Sequence, residues 1–151
     1  MELSHATALL DNADTDQMAD RDQMDVRFVR GESYEVTVRG HRILVDQPAK
    51  AGGQDDAPTP TELFVASLAA CVAFYAGRYL TRHGYGRDGL AVSAGFDMAT
   101  DGPARVNGIR LTVRAPADLP AGRHRALRAV VSHCTVHNSL TTMPSVTINL
   151  T

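Results

Sequence analysis

The chain has 151 residues, 44% hydrophobic and 5% aromatic with no tryptophan, which is one domain's length and enough apolar material for a core of Ala, Val, Leu and Ile. A formal net charge of -2, with Lys50 the only lysine among the basic residues, gives no reason to expect a nucleic-acid partner, since phosphate binding needs clustered positive charge. The chain does not open on a basic segment followed by an apolar stretch, and no run of about eighteen apolar residues occurs, so neither a signal peptide nor a membrane span is expected and the expected location is cytoplasmic.

Residues 1–24 carry Asp11, Asp14, Asp16, Asp20 and Asp22 around one short apolar cluster, Ala8 to Leu10. They read as an acidic, mobile arm ahead of a single domain over residues 25–151. From Asp25, three short runs alternate in the manner of strands: Val26 to Val29, Tyr34 to Val38 and Arg42 to Val45. Gly31 and Gly40 fall where hairpin turns need positive φ, and Gln47 to Pro58 reads as an exposed loop.

Thr59, Pro60, Thr61 and Glu62 form a helix start, with Thr as N-cap, Pro in the first turn and Glu placed to close a capping box. Leu63 to Gly77 then contains no charged residue. A helix apolar on every face should be buried. It is expected to end near His83 and Gly84. Leu90 to Met98 and Ile109 to Ala115 alternate as two more strands around a turn at Asp101, Gly102 and Pro103. Pro120 opens a second helix with Leu127, Val130 and Val131 on one face, His133 to Leu140 prolongs or restarts it, and Ser145 to Leu150 is expected as a sixth strand.

The two cysteines are Cys71, deep in the uncharged helix, and Cys134, in the second helical region. In a reducing compartment such a pair is reactive, metal-binding or merely buried rather than a staple. Buried Cys commonly serves as a small hydrophobe, and packing the two helices together would instead bring the sulfurs into contact. Zinc accepts Cys71, Cys134, His133 and His137 as ligand types, but adjacent ligands without a Cys-x-x-Cys pair argue against a metal. His133 and His137 are spaced to share a helix face, either as polar residues near a helix end or as proton donors.

The stretch Pro60 to Cys71, in which Cys71 stands nine residues after Glu62, resembles the central-helix motif of the OsmC/Ohr family. His133-Cys134-Thr135-Val136-His137-Asn138-Ser139-Leu140 looks like that family's second-cysteine motif, although Thr135 stands where many members have Pro. The resemblance runs from about Asp25 to Thr151. It implies an α+β fold with antiparallel sheets wrapped around central buried helices, in an intertwined homodimer. It also implies a thiol-dependent peroxidase that reduces organic hydroperoxides, with Cys71 attacking and Cys134 resolving, without metal or bound organic cofactor.

A peroxide is attacked by a thiolate, and burial in an apolar helix opposes ionisation. The helix dipole fades within the first turn, so a nearby cation is required, and Arg retains its charge when desolvated. The resemblance puts Arg30 in that role, oriented by Glu62, with Arg39 and Arg42 as rivals. Arg30 also reads as a solvated arginine at a hairpin turn, and Glu62 as a capping residue. A dithiol, often a lipoyl group on a carrier protein in this family, would restore the cysteines. Phe64, Phe74 and Tyr75 are expected to favour organic hydroperoxides if they line the pocket. The alternative is a non-enzymatic OsmC-like dimeric module that binds a hydrophobic small molecule.

Overall fold

The computed structural model describes residues 23–151. The acidic arm therefore lies outside the described residues, apart from its last two positions, and Met24 already opens the first strand. Two compact units follow one another along the chain, the first ending at Pro60 and the second running from Thr61 to Thr151.

In the first unit, β1 (Met24–Arg30), β2 (Ser33–Val38) and β3 (His41–Val45) form an antiparallel meander in that order. The β2–β3 register pairs Tyr34 with Val45 and Val38 with His41, leaving a two-residue connection. Both of its residues, Arg39 at φ 47° and Gly40 at φ 79°, adopt the left-handed conformation that such hairpins need. Alternation in these strands would bury one face, yet β1 is exposed along its whole length.

The loop that follows is ordered by a carboxylate. Asp46 is fully buried, and its Oδ2 accepts the amides of Gln54 at 3.0 Å and Asp56 at 3.1 Å. The Asp56 amide is the largest influence holding the Asp46 carboxyl below the usual carboxylate range; burial opposes it, and the Gln47 and Gln54 amides and the Ser33 hydroxyl assist. The segment that reads as an exposed loop is thus folded around a buried charge.

In the second unit, α1 (Pro60–Arg82) starts where the Thr-Pro-Thr-Glu signature places it. It ends in a Schellman arrangement: Tyr85 N–H donates to Leu80 O at 3.0 Å, Gly84 N–H to Thr81 O at 3.2 Å, and Gly84 has φ 76°. By length and composition α1 matches a membrane span, with mean hydropathy 1.6 over its most apolar window, a property that counting uninterrupted apolar residues misses. Within the chain it buries a stripe, namely Val65, Leu68, Val72, Ala76, Gly77, Tyr79 and Leu80, spaced three and four apart. Phe64 and Phe74 stay exposed, so burial on every side is not achieved within one chain.

The hairpin of β4 (Ala91–Met98) and β5 (Val106–Arg114) packs Val92, Ile109, Leu111 and Val113 against the core around that stripe. Pro120 stands at the N-cap of α2 (Ala121–Val131), which adds Leu127 and Val131. The chain then restarts as α3 (Thr135–Thr141) rather than continuing α2. The sixth strand expected over Ser145 to Leu150 is absent. A strand requires a neighbour for its amides and carbonyls, and no described strand pairs with this segment. Val146, Ile148 and Leu150 are 79%, 85% and 98% exposed.

Candidate functional site

Cys71 lies on α1, partly buried, with its side chain against the core. Cys134 is wholly buried and belongs to neither α2 nor α3: it is the N-cap residue of α3, with extended backbone at φ -70° and ψ 156°. Sequence periodicity placed it inside a helix because His133 to Leu140 lacks a breaker. The structure instead turns the chain at Ser132 and His133, and the Cys134 carbonyl accepts the Asn138 amide at 2.9 Å to open α3.

Both cysteines are free thiols, and Cys71 packs against the core cluster that contains Cys134, near enough to act on its ionisation. Burial is the main influence raising the Cys134 pKa above the ordinary thiol range. The Cys71 sulfur raises it further, by hydrogen bonding and by repulsion between the two anions. The amides of His137 and Val136, in the first turn of α3, pull the other way without forming a side-chain cap. Two thiols from distant parts of the chain, one of them held neutral by its surroundings, are the groups that sulfur–sulfur exchange uses.

One turn beyond Cys71, the Tyr75 hydroxyl is 3.0 Å from the Thr135 hydroxyl, so α1 is tied to the residue that follows Cys134. The two histidines serve the helix ends. His133 Nδ1 lies 2.8 Å from the Ala129 carbonyl, at the end of α2, and His137 Nδ1 meets the Ser132 carbonyl. They do not share a face of one helix as their spacing predicts, because the break at Cys134 separates them.

The expected arginines belong to the first unit. Arg30 is ion-paired with Asp56 at 2.7 Å and is 66% exposed, Arg42 pairs with Glu35, and Arg39 occupies the β2–β3 turn. Glu35 raises the Arg42 pKa, first through a side-chain hydrogen bond and then through its charge. Glu62 stands in the first turn of α1.

A groove of about 900 Å³ opens elsewhere in the second unit, between α1, β5, α2 and α3. Leu68, Val72, Ile109, Leu127 and Val131 form its apolar floor, and His124, Arg128 and His137 are its basic groups. Of the three aromatic residues expected at a pocket, only Phe64 lines it. Phe74 and Tyr75 pack edge to face at 5.8 Å, with Arg78 over the Phe74 ring. Neither sulfur lines the groove. Sequence reasoning did not find it, because its walls come from four elements whose juxtaposition no local pattern encodes.

The family model for OsmC-like protein matches residues 53–149, which is more than half of the chain and spans both cysteines. The chain belongs to the OsmC-like family. Solved structures agree on the fold. A putative osmotic stress induced and detoxification response protein from Psychrobacter arcticus is 21% identical with a TM-score of 0.71, over 77% of this chain and 85% of that one. An OsmC-like protein from Mycoplasma pneumoniae is 19% identical with a TM-score of 0.66, over 81% and 89%. The organic hydroperoxide resistance protein OhrB of Bacillus subtilis is 18% identical with a TM-score of 0.58, over 78% and 89%. No curated protein matches the sequence. The mixed α and antiparallel β architecture expected from the sequence is thereby that of the OsmC/Ohr proteins.

Proposed function

We propose that this OsmC-like protein is a cytoplasmic, homodimeric thiol peroxidase that reduces organic hydroperoxides. The observation that carries the reading is the packing of Cys71 against the core cluster that holds Cys134, both as free thiols, across more than sixty residues of sequence. The organic hydroperoxide resistance proteins among its structural neighbours support it.

The Cys71 thiolate attacks the outer peroxide oxygen; the O–O bond breaks, an S–O bond forms, and the alkoxide leaves as the alcohol after taking a proton. The sulfur of Cys134 then attacks the Cys71 sulfenic acid, and the displaced hydroxide leaves as water with the Cys134 proton. A dithiol of the lipoyl kind reopens the disulfide by exchange and is itself oxidised to a disulfide, so that two electrons pass from dithiol to peroxide. Arg30 is proposed as the cation beside Cys71, and Glu62 as the carboxylate that orients it, on the family resemblance alone. The cytoplasmic assignment rests on the thiol state this cycle needs.

Turnover of cumene hydroperoxide with dihydrolipoamide, compared with hydrogen peroxide, tests the reading. Cys71→Ser should abolish turnover, and Cys134→Ser should stop the cycle at the sulfenic acid after one equivalent of peroxide. Equal consumption by wild type and Cys71→Ser would refute it.

The groove favours a second reading, as a module that binds an apolar small molecule bearing an acidic group, because its polar lining includes Arg128, His124 and His137 and no carboxylate. In that case the wild type would bind such a ligand and consume no peroxide.

A further inference from the structure

We infer that the Tyr75–Thr135 hydrogen bond is a clasp that sets the reduction potential of the Cys71–Cys134 pair, making Tyr75 and Thr135 positioning residues; the inference rests on the dithiol reading above. Residues four apart on a helix lie one above the other on the same face, so Tyr75 stands one turn from Cys71. Thr135 is bonded directly to Cys134 and is the first residue of α3. The 3.0 Å hydroxyl contact therefore joins the same two elements as the sulfurs, one step further along each.

Closing the disulfide brings the two sulfurs, one packed against the core cluster that contains the other, to a bond of about 2.05 Å with a fixed dihedral preference. How readily they close depends on how much freedom the start of α3 retains relative to α1, since a tethered thiol reacts at an effective concentration set by its tether. Cys134 has no side-chain cap bond of its own to fix it, and α3 is only seven residues long. Behind Cys134 the chain turns through Ser132 and His133, which end α2. The clasp is the side-chain hydrogen bond that holds this junction to α1 at the level of the sulfurs. It survives oxidation, because closing the sulfurs moves Thr135 toward α1 rather than away from it. Because it is present in both states, it favours the disulfide only through the freedom it removes from the dithiol in advance. Losing it makes the pair a stronger oxidant, with a less negative potential.

The couple releases two electrons and two protons as the two S–H bonds are replaced by one S–S bond, and oxidised dithiothreitol accepts them in the test. The full-length protein is equilibrated in buffers of reduced and oxidised dithiothreitol, and its disulfide fraction is read by alkylation and mass. Tyr75→Phe and Thr135→Val should each lower the equilibrium constant for disulfide formation about three- to tenfold, with the whole worth of one hydrogen bond as the ceiling. That is roughly 15 to 30 mV, at about 30 mV per tenfold for two electrons. Thr135→Ser, which keeps the hydroxyl, should restore the wild-type potential, and the double variant should shift no further than either single one.

A wild-type potential in Tyr75→Phe or Thr135→Val, a shift toward more negative values, or equal shifts in Thr135→Val and Thr135→Ser would each overturn the clasp while leaving the dithiol cycle standing. Lower thermal stability with an unmoved potential would do the same. A wild-type protein that forms no Cys71–Cys134 disulfide under any of these buffers would overturn both.

Discussion

Cys134 combines two opposed influences. Burial withholds water from its anion, and the Cys71 sulfur adds to that cost, while the first amides of α3 offset part of it. The balance keeps it protonated at neutral pH, which suits the resolving role proposed for it, since that thiol would wait until Cys71 had been oxidised. In Cys71→Ala, Cys134 is the only cysteine left, so the rate of iodoacetamide labelling against pH reports its ionisation through its midpoint, whatever its accessibility. That midpoint should lie above the value for the same protein in concentrated urea, because burial, the largest cause, remains. It should lie below the value for Cys134 in the wild type, since the hydrogen bond and charge of Cys71 are gone. A midpoint at or below that of the unfolded chain would contradict the assignment. The identities of the two cysteines were legible in the sequence through their motifs. The capping position of Cys134 was not, because nothing local in Ser132 to Thr135 marks the break. Asp46 was equally hidden, since the Gln54 and Asp56 amides that hold it come from eight and ten residues along the chain.

The start and end of α1 were both readable because each is a local device. Pro60 supplies a φ suited to the first turn, and Gly84 supplies the left-handed residue that lets the Tyr85 amide reach the Leu80 carbonyl. Gly84 has open space where a Cβ would stand, so replacing it tests backbone conformation alone. Gly84→Ala should cost about 1 kcal/mol, the penalty for a side chain in the left-handed region. For a chain of this length that corresponds to a fall in Tm of roughly 2–4 °C. Gly86→Ala is the control: Gly86 also faces open space, but without positive φ, and the change should be neutral or slightly stabilising. Equal effects at the two positions would remove the cap as the reason α1 ends there. The strands were legible by the same reasoning where a hairpin partner follows in sequence, as in β1 to β3 and in β4 with β5. Ser145 to Leu150 has the alternation of a strand and no adjacent partner, so its pattern predicted an element that one chain does not form.

At the scale of the whole molecule, the unmet apolar surface is the fact to explain. Met24, Val26 and Phe28 on β1, Phe74 on α1, and Val146, Ile148 and Leu150 at the C-terminus are all large, apolar and exposed. Single exposed apolar residues are ordinary, whereas runs of them along one strand and one tail mark surfaces made to be covered. The alternation over residues 145–150 is what a strand needs when its pairing partner lies on another molecule, and a second copy of the chain supplies sheet edges at no cost in new sequence. The proposed homodimer therefore predicts a mass near twice 16.2 kDa by sedimentation equilibrium, and a Tm that rises with protein concentration. Replacing Ile148 and Leu150 together by Asp should weaken association at least tenfold, because burying either carboxylate unpaired opposes assembly. The same change should leave the second unit folded, since neither residue contributes to its core. A wild type that sediments as a single chain at all concentrations, with a Tm independent of concentration, would rule the dimer out. Dimerisation that is indifferent to the double substitution would instead place the interface away from the tail, leaving β1 and Phe74 as the surface to test.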